Sequence, residues 1–350
     1  MIHAHGYAAH DATSPLVPFQ FDRRDPGPHD VHIEIQFCGI CHSDLHQARN
    51  DWEGSLYPMV PGHEIVGRVA AVGAEVKKFK VGDLAGVGCM IDSCRTCGPC
   101  KRDLEQYCAE GATYTYNAHE RGTERLAFGG YSDHIVVEER FVVRVPVNLD
   151  LKAVAPLLCA GITTYSPIMH WKVGEGTRVG VIGLGGLGHM GIKFAHALGA
   201  HVTAISTSPA KAAEAHRLGA NDVLLSRDAD AMAARARTFD FILDTAPNAH
   251  DLNAYTPLLD VDGTLVLVGA LTELTPPLYG ASVIGGRKSI AGSGIGGMRE
   301  TQEMLDFCGK HSITADVELI SATGINAAYE RMLRNDVKYR FVIDVATIKG

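Results

Sequence analysis

The clearest hydrophobic pattern in the chain lies near its centre. Arg178–Ile182 (RVGVI) is a short run rich in β-branched residues, which predicts a buried strand. Beyond it, apolar or small residues recur at Leu187, Met190, Gly191, Phe194, Ala195 and Leu198. That three-and-four spacing predicts a helix over 187–198 with one buried face, and Gly199 ends it. Val202–Ile205 predicts a second strand and Pro209–Leu218 a second helix with proline in its first turn. Asp222–Leu225, Phe239–Leu243 and Thr264–Val268 predict further strands. Strands alternating with helices predict an α/β, doubly wound parallel sheet. No run of about 18 apolar residues free of charge predicts a membrane span. The opening MIHAHGYAAHDATSP has neither the apolar run nor the basic cluster of a signal peptide.

Composition narrows the classes. At 350 residues, with 46% hydrophobic and 21% charged residues, the chain suits two domains or one large one. Its 32 Lys and Arg against 40 Asp and Glu give a net charge of −8, so no basic excess favours nucleic acid as partner. Nine cysteines, an odd number in a long chain, make a poor secreted disulfide framework. The setting expected is cytoplasmic.

Four of the nine fall within fifteen residues: Cys94, Cys97, Cys100 and Cys108, in CRTCGPCKRDLEQYC. Two overlapping C-x-x-C steps and a fourth cysteine allow four thiolates to converge on one tetrahedral cation, with Gly98 and Pro99 in the turn. Zn²⁺ suits that set, and a closed shell of four sulfurs makes the site structural. Spacing alone also admits an iron–sulfur cluster, and a disulfide cluster conflicts with the expected compartment. Cys41, His63 and Cys159 are scattered, yet three such ligands with a fourth position open are the pattern of a catalytic zinc. Taken singly, Cys159 reads as a core cysteine and His63 as a hydrogen-bonded loop histidine. Cys38, Cys89 and Cys308 read as packing residues.

Between the first predicted strand and helix lies Gly183-x-Gly185-x-x-Gly188. A G-x-G-x-x-G in that context is a dinucleotide fingerprint, in which the glycines permit a tight turn, close approach to pyrophosphate and close helix packing. An NAD enzyme would carry Asp or Glu at the end of the second strand for the ribose 2′-hydroxyl. Here Ser206, Thr207 and Ser208 stand there, with Lys211 following. Hydroxyls and an ammonium in place of a carboxylate suit a 2′-phosphate, so NADP(H) is the expected cofactor. Ser208 before Pro209 also suits a helix cap.

These motifs join GICHSDLH (39–46), PGHEIVG (61–67), VGD (81–83), GGYSDH (129–134), CAGITTYSP (159–167), GLGGLGH (183–189) and YRFVID (339–344). The ordered set resembles the zinc-dependent medium-chain alcohol dehydrogenases over almost the whole chain. Within them it is most similar to the cinnamyl-alcohol-dehydrogenase-like branch with its bacterial broad-range aldehyde reductases. The resemblance implies a GroES-like β-rich catalytic domain over 1–155 and 292–350, interrupted by a Rossmann cofactor domain over 156–291, with the active site in the cleft and a dimer through the cofactor domain's sheet edge.

It also implies roles. Cys41, His63 and Cys159 hold the catalytic zinc, and Glu64 approaches or ligates it when substrate is absent. Ser43 and His46 form a proton relay, for which a hydroxyl and an imidazole are chemically suited. Asp44 orients a ligand or caps the helix that follows. His42, Thr163 and Arg340 face the cofactor, as do Gly186 and Leu187 in the turn and Val268, Gly269 and Ala270 at the end of a later strand. Trp52, Tyr114 and Ile295 line the substrate pocket, made roomier by Gly294 where the branch often carries a bulkier residue. The activity implied is NADP(H)-linked interconversion of primary alcohols and aldehydes, aromatic and aliphatic. Two alternatives are a polyol dehydrogenase of the same superfamily and a non-catalytic redox sensor that retains zinc and NADP. A zinc-ribbon nucleic-acid module around Cys94–Cys108 fails on charge.

Overall fold

A computed structural model describes residues 1–269 and 272–348. The chain divides into two compact units, one made of Met1–Ile162 with Gly296–Gly350 and the other of Thr163–Ile295. The first unit is therefore discontinuous in sequence, and the passage into the second falls inside the helix Ala160–His170.

The first unit is built on a seven-stranded sheet. Its long strand Asp30–Ile40 pairs antiparallel with Ile65–Val72, with His134–Glu138 and with Arg340–Asp344 near the C-terminus. Alternate residues Val31, Ile33 and Ile35 are buried while Glu34 and Gln36 are exposed, the two-residue period of a strand with one covered face. Register then decides where chemistry falls. Cys38 pairs with Ile65 and Ile40 pairs with Phe341. The residues just beyond these pairs, Cys41, His63, Glu64 and Arg340, thus collect at one end of three adjacent strands. The Gly39 N–H to Glu64 C=O bond, 2.9 Å, continues the ladder into that corner.

The second unit is a six-stranded, all-parallel sheet. Its strand order is Asp222–Leu225, His201–Ser206, Arg178–Ile182, Phe239–Asp244, Leu259–Leu267, Ser289–Gly292. This is the doubly wound order of a dinucleotide-binding fold, whose ligand crevice lies where the chain reverses direction across the sheet. The expected α/β class is met. The strand predicted over Thr264–Val268 begins earlier, at Leu259, and ends at Leu267. The second helix opens as a tighter 3₁₀ turn, Pro209–Lys211, before Ala212–Leu218. No helix among the described residues is long and apolar enough to cross a membrane.

Candidate active site and cofactor site

Cys41 follows the long strand directly and is the N-cap of the helix His42–Ala48. The Sγ atoms of Cys41 and Cys159 are 4.0 Å apart, and the candidate ligand atoms of Cys41, His63, Glu64 and Cys159 all lie within 4.8 Å of one another, every residue buried. Asp44 organises this corner. One carboxylate oxygen accepts from the Cys41 N–H (2.8 Å) and the Tyr131 hydroxyl (3.2 Å), the other from the Gly62 N–H (3.0 Å) and the ring at His63 Nδ1 (2.9 Å). Asp44 therefore caps the helix and orients the histidine at once. Engaging Nδ1 leaves Nε2 as the ligating nitrogen, the usual arrangement of a carboxylate behind a metal-bound imidazole.

The electrostatics suit a cation. Contact with Cys159, then Arg340 and His63 nearby, hold the Cys41 thiol well below the usual thiol range. A thiolate is what a metal takes. Glu64 is fully buried; one oxygen is paired with Arg340 and the other, Oε2, has no hydrogen-bond partner among the described residues. An unsatisfied buried carboxylate oxygen beside two sulfurs and an imidazole fits a divalent ion. Arg340 is itself 5% exposed, with its guanidinium on Glu64. It sits beside that carboxylate because its strand pairs directly with the one leading to Cys41.

In the first turn of the helix, Ser43 Oγ accepts from Cys41 Sγ at 3.6 Å. His46, three residues on and hence on the same face, bonds through Nδ1 to Asp51 at 2.8 Å. Asp51 was not singled out from sequence. His42 is half-buried, and burial chiefly pushes its pKa down. Of the expected pocket residues, Trp52 packs against His46 with ring centroids 5.4 Å apart, and Tyr114 is exposed. The aromatic ring beside His63 is instead Tyr116, buried and 5.8 Å away, centroid to centroid. Ile295 closes the second unit with a left-handed φ of 40°.

Cys94, Cys97, Cys100 and Cys108 also bring their sulfurs within 4.8 Å of one another. Backbone N–H groups point at them: Cys97 N to Cys94 Sγ 3.3 Å, Cys94 N to Cys108 Sγ 3.4 Å and Ala109 N to Cys97 Sγ 3.4 Å. Such donors favour thiolates, and Cys94, with the Thr96 and Cys97 amides on it, is held down to about 6. Among the described residues no disulfide joins these cysteines.

In the second unit the fingerprint glycines divide their work as the motif requires. Gly183 takes a left-handed φ of 89°. A Cβ on Gly188 would overlap the Gly183 carbonyl oxygen, whereas one on Gly185 would meet open space. Helix and turn are thus in contact at Gly188, and the backbone at Gly185 is left bare for a ligand. Gly186 and Leu187 complete the turn, with Leu187 heading the helix Gly188–Ala197. Thr245, missed in the sequence, bonds from Oγ1 to the Ile182 carbonyl (2.6 Å) beneath that turn. Val268 N–H reaches Asp244 C=O at 3.0 Å, and Gly269 packs so closely on Thr245 and Ala246 that no side chain would fit. Ala270 lies outside the described residues. Thr163 is buried at the start of the unit. Ser206 is buried at the end of its strand and accepts from the Ser208 N–H (3.2 Å), Thr207 is exposed beyond it, and Lys211 Nζ reaches back to the Leu184 carbonyl (3.1 Å).

Two family models match the chain: the alcohol dehydrogenase GroES-like domain over residues 27–147 and the zinc-binding dehydrogenase over 186–310. The chain is 57% identical over 343 residues to aldehyde reductase YahK of Escherichia coli K12, covering 97% of each chain. It belongs to the zinc-dependent medium-chain alcohol dehydrogenases. It is 51% identical to NADP-dependent alcohol dehydrogenase C of Mycobacterium tuberculosis, over 98% of each chain. Among solved structures, a cinnamyl alcohol dehydrogenase of Sorghum bicolor matches with TM-score 0.95 and 48% identity over 99% of each chain. The Helicobacter pylori enzyme complexed with NADP(H) matches with TM-score 0.93 and 42% identity, again over 99% of each. The dehydrogenase is thus an oxidoreductase of a zinc- and NADP(H)-dependent family.

Proposed function

We propose that this dehydrogenase interconverts primary alcohols and aldehydes of broad range with NADP(H), and that Cys41, His63 and Cys159 hold its catalytic zinc with Glu64 at hand. The observation that carries the reading is the buried convergence of those four donors, with Asp44 fixing the imidazole from behind. Bound there, zinc would supply Lewis acidity to a substrate oxygen, and the nicotinamide would supply hydride chemistry. The chain's own residues do the rest. Ser43, next to Cys41, takes and passes the proton that an alcohol must lose or an alkoxide must gain. His46 carries it outward: with Nδ1 on Asp51, Nε2 is the nitrogen that exchanges it. Cys94, Cys97, Cys100 and Cys108 hold a second, structural zinc. Gly183–Gly188 receive the pyrophosphate, and Ser206–Ser208 with Lys211 favour the 2′-phosphate. A cytoplasmic setting follows from thiolates that must stay reduced. A homodimer through the edge strand Ser289–Gly292 is supported by the exposed Leu278, Tyr279 and Ile284.

An assay of NADPH oxidation over a panel of aromatic and aliphatic aldehydes tests this. Turnover that a chelator abolishes and zinc restores is the expected result. Faster turnover with NADH than with NADPH, or activity indifferent to metal removal, would overturn it.

A further inference from the structure

The adenosine end of the cofactor site holds a residue that neither the fingerprint nor the Ser206–Ser208 segment accounts for. A hollow of about 590 Å³ opens between the turn after His201–Ser206 and the turn after Asp222–Leu225. Thr207 and Pro209 line one side; Leu225, Arg227, Asp228 and Asp230 line the other. The two strands are hydrogen-bonded neighbours, Ser206 opposite Leu225, so the turns face each other because the sheet is in register. The hollow is therefore an extension of the place where Ser206–Ser208 end their strand.

Its charges are uneven. Asp228 caps the helix Ala229–Ala234 by accepting from the Ala231 N–H at 3.0 Å, and Asp230 follows in the first turn. Lys211, on the opposite turn, has its ammonium 3.1 Å from the Leu184 carbonyl. Arg227 is the single cation among the lining residues, is exposed, and makes no hydrogen bond or ion pair among the described residues. A phosphate entering from the Thr207 side would meet two carboxylates unless a cation stood between. A guanidinium offers a planar fork of donors that matches phosphate oxygens two at a time.

We propose that Arg227 is a specificity-determining residue of the cofactor site, its guanidinium closing on the adenosine 2′-phosphate from across the hollow, opposite Thr207. The proposal rests on the NADP(H) reading above and adds a second jaw to it. Arg227 gives the site its discrimination against the unphosphorylated ribose, because removing it leaves Asp228 and Asp230 to repel the phosphate.

The test is calorimetric binding of two fragments, 2′,5′-ADP and 5′-AMP, to the intact protein and to Arg227→Ala and Arg227→Lys. The readout is affinity, independent of turnover. The expected result is wild-type preference for 2′,5′-ADP, a preference lowered about tenfold or more in Arg227→Ala, and an intermediate preference in Arg227→Lys, which keeps the charge and loses the fork. Affinity for 5′-AMP should hold in both variants. If both fragments weaken equally, Arg227 stacks on adenine and the inference fails. If the preference is unchanged, Ser206–Ser208 and Lys211 suffice and it fails as well. A wild-type protein that does not distinguish the two fragments would sink the NADP(H) reading, and this one with it.

Discussion

Asp44 shows how much a single side chain settles. Its carboxylate accepts from two backbone amides, a tyrosine hydroxyl and the His63 ring, all buried. Asp44→Asn keeps the shape but loses the charge and turns one acceptor into a donor facing N–H groups. Zinc affinity at this corner should fall roughly 10- to 100-fold, the usual cost of losing a partner behind a ligating histidine. Competition with a coloured chelator reads it, and an unchanged affinity would show that Asp44 serves only the helix. His46 belongs to the same scale. His46→Ala should slow turnover near neutral pH and alter its pH profile, since the outer member of the proposed relay is gone. Asp51→Asn should slow turnover as well, because the carboxylate that holds the His46 ring at 2.8 Å is gone. If turnover at every pH matches wild type in both variants, no proton leaves this way.

What could be read from sequence ends where partners are distant along the chain. Cys41, Ser43, His63 and Cys159 stood out because the motif spells them. Tyr116 and Thr245 did not, because each acquires its place through folding: Tyr116 reaches His63 from 53 positions away and Thr245 reaches Ile182 from 63. Asp51, only five residues past His46, carries no motif that marks it. Arg340 was legible as a charged residue of interest but not in its partner, since only strand register brings it onto Glu64.

At the scale of elements, the central sheet was legible and the first unit's was not. Buried parallel strands read as short β-branched runs with helices between them. The antiparallel strand Asp30–Ile40 alternates only from Val31 to Gln36; past the register irregularity at Ile35/Phe37 it ends in Cys38, Gly39 and Ile40, all buried, and the simple pattern is lost. The strand–turn–helix of the fingerprint allows a paired prediction. Gly188→Ala should cost about 1–3 kcal/mol of stability through overpacking against Gly183. Gly185→Ala should leave the melting temperature near wild type and weaken NADP(H), since its methyl would enter open space in the turn proposed to receive the phosphates. Thermal melts with cofactor titrations separate the two; equal destabilisation in both would refute the assignment of the turn.

The starts of three neighbouring strands are also tied electrostatically. Arg178 bonds Asp240, through Nε at 3.0 Å and a second nitrogen, and Asp260 at 3.0 Å. Against an opposing effect of burial, the Arg178 hydrogen bonds hold Asp240 below the ordinary carboxylate value of 3.8; Asp260 is lowered by the Val261 amide and by Arg178. A carboxylate depressed in the folded state adds stability that is present above 3.8 and lost as pH falls through the lower folded value. Arg178→Met removes that margin, so its acid unfolding should begin at a higher pH than wild type. Coincident acid transitions would mean the network is fully solvated.

For the whole molecule the decisive quantity is how the metal is distributed. The lobe carrying Cys94–Cys108 has little regular structure of its own: two three-residue 3₁₀ turns and a short two-stranded ribbon. Elements that small bury too little to hold themselves, so an ion on the four sulfurs would supply much of the lobe's order, and its binding would be folding energy. The other cluster sits where three strands of a seven-stranded sheet already converge, and its residues are buried by that sheet whether or not a metal is bound. The two sites should therefore fail differently. Wild type should contain two zinc per chain. Cys159→Ser should keep about one, lose turnover and melt close to wild type. Cys100→Ser should also lose one zinc, but its melting temperature should drop and protease should cut first within 94–108. Metal analysis, melting and limited proteolysis on the same three preparations decide it. A Cys100→Ser protein that melts with wild type would show the lobe to be held by packing. Iron in place of zinc would overturn the reading of the four-cysteine cluster itself.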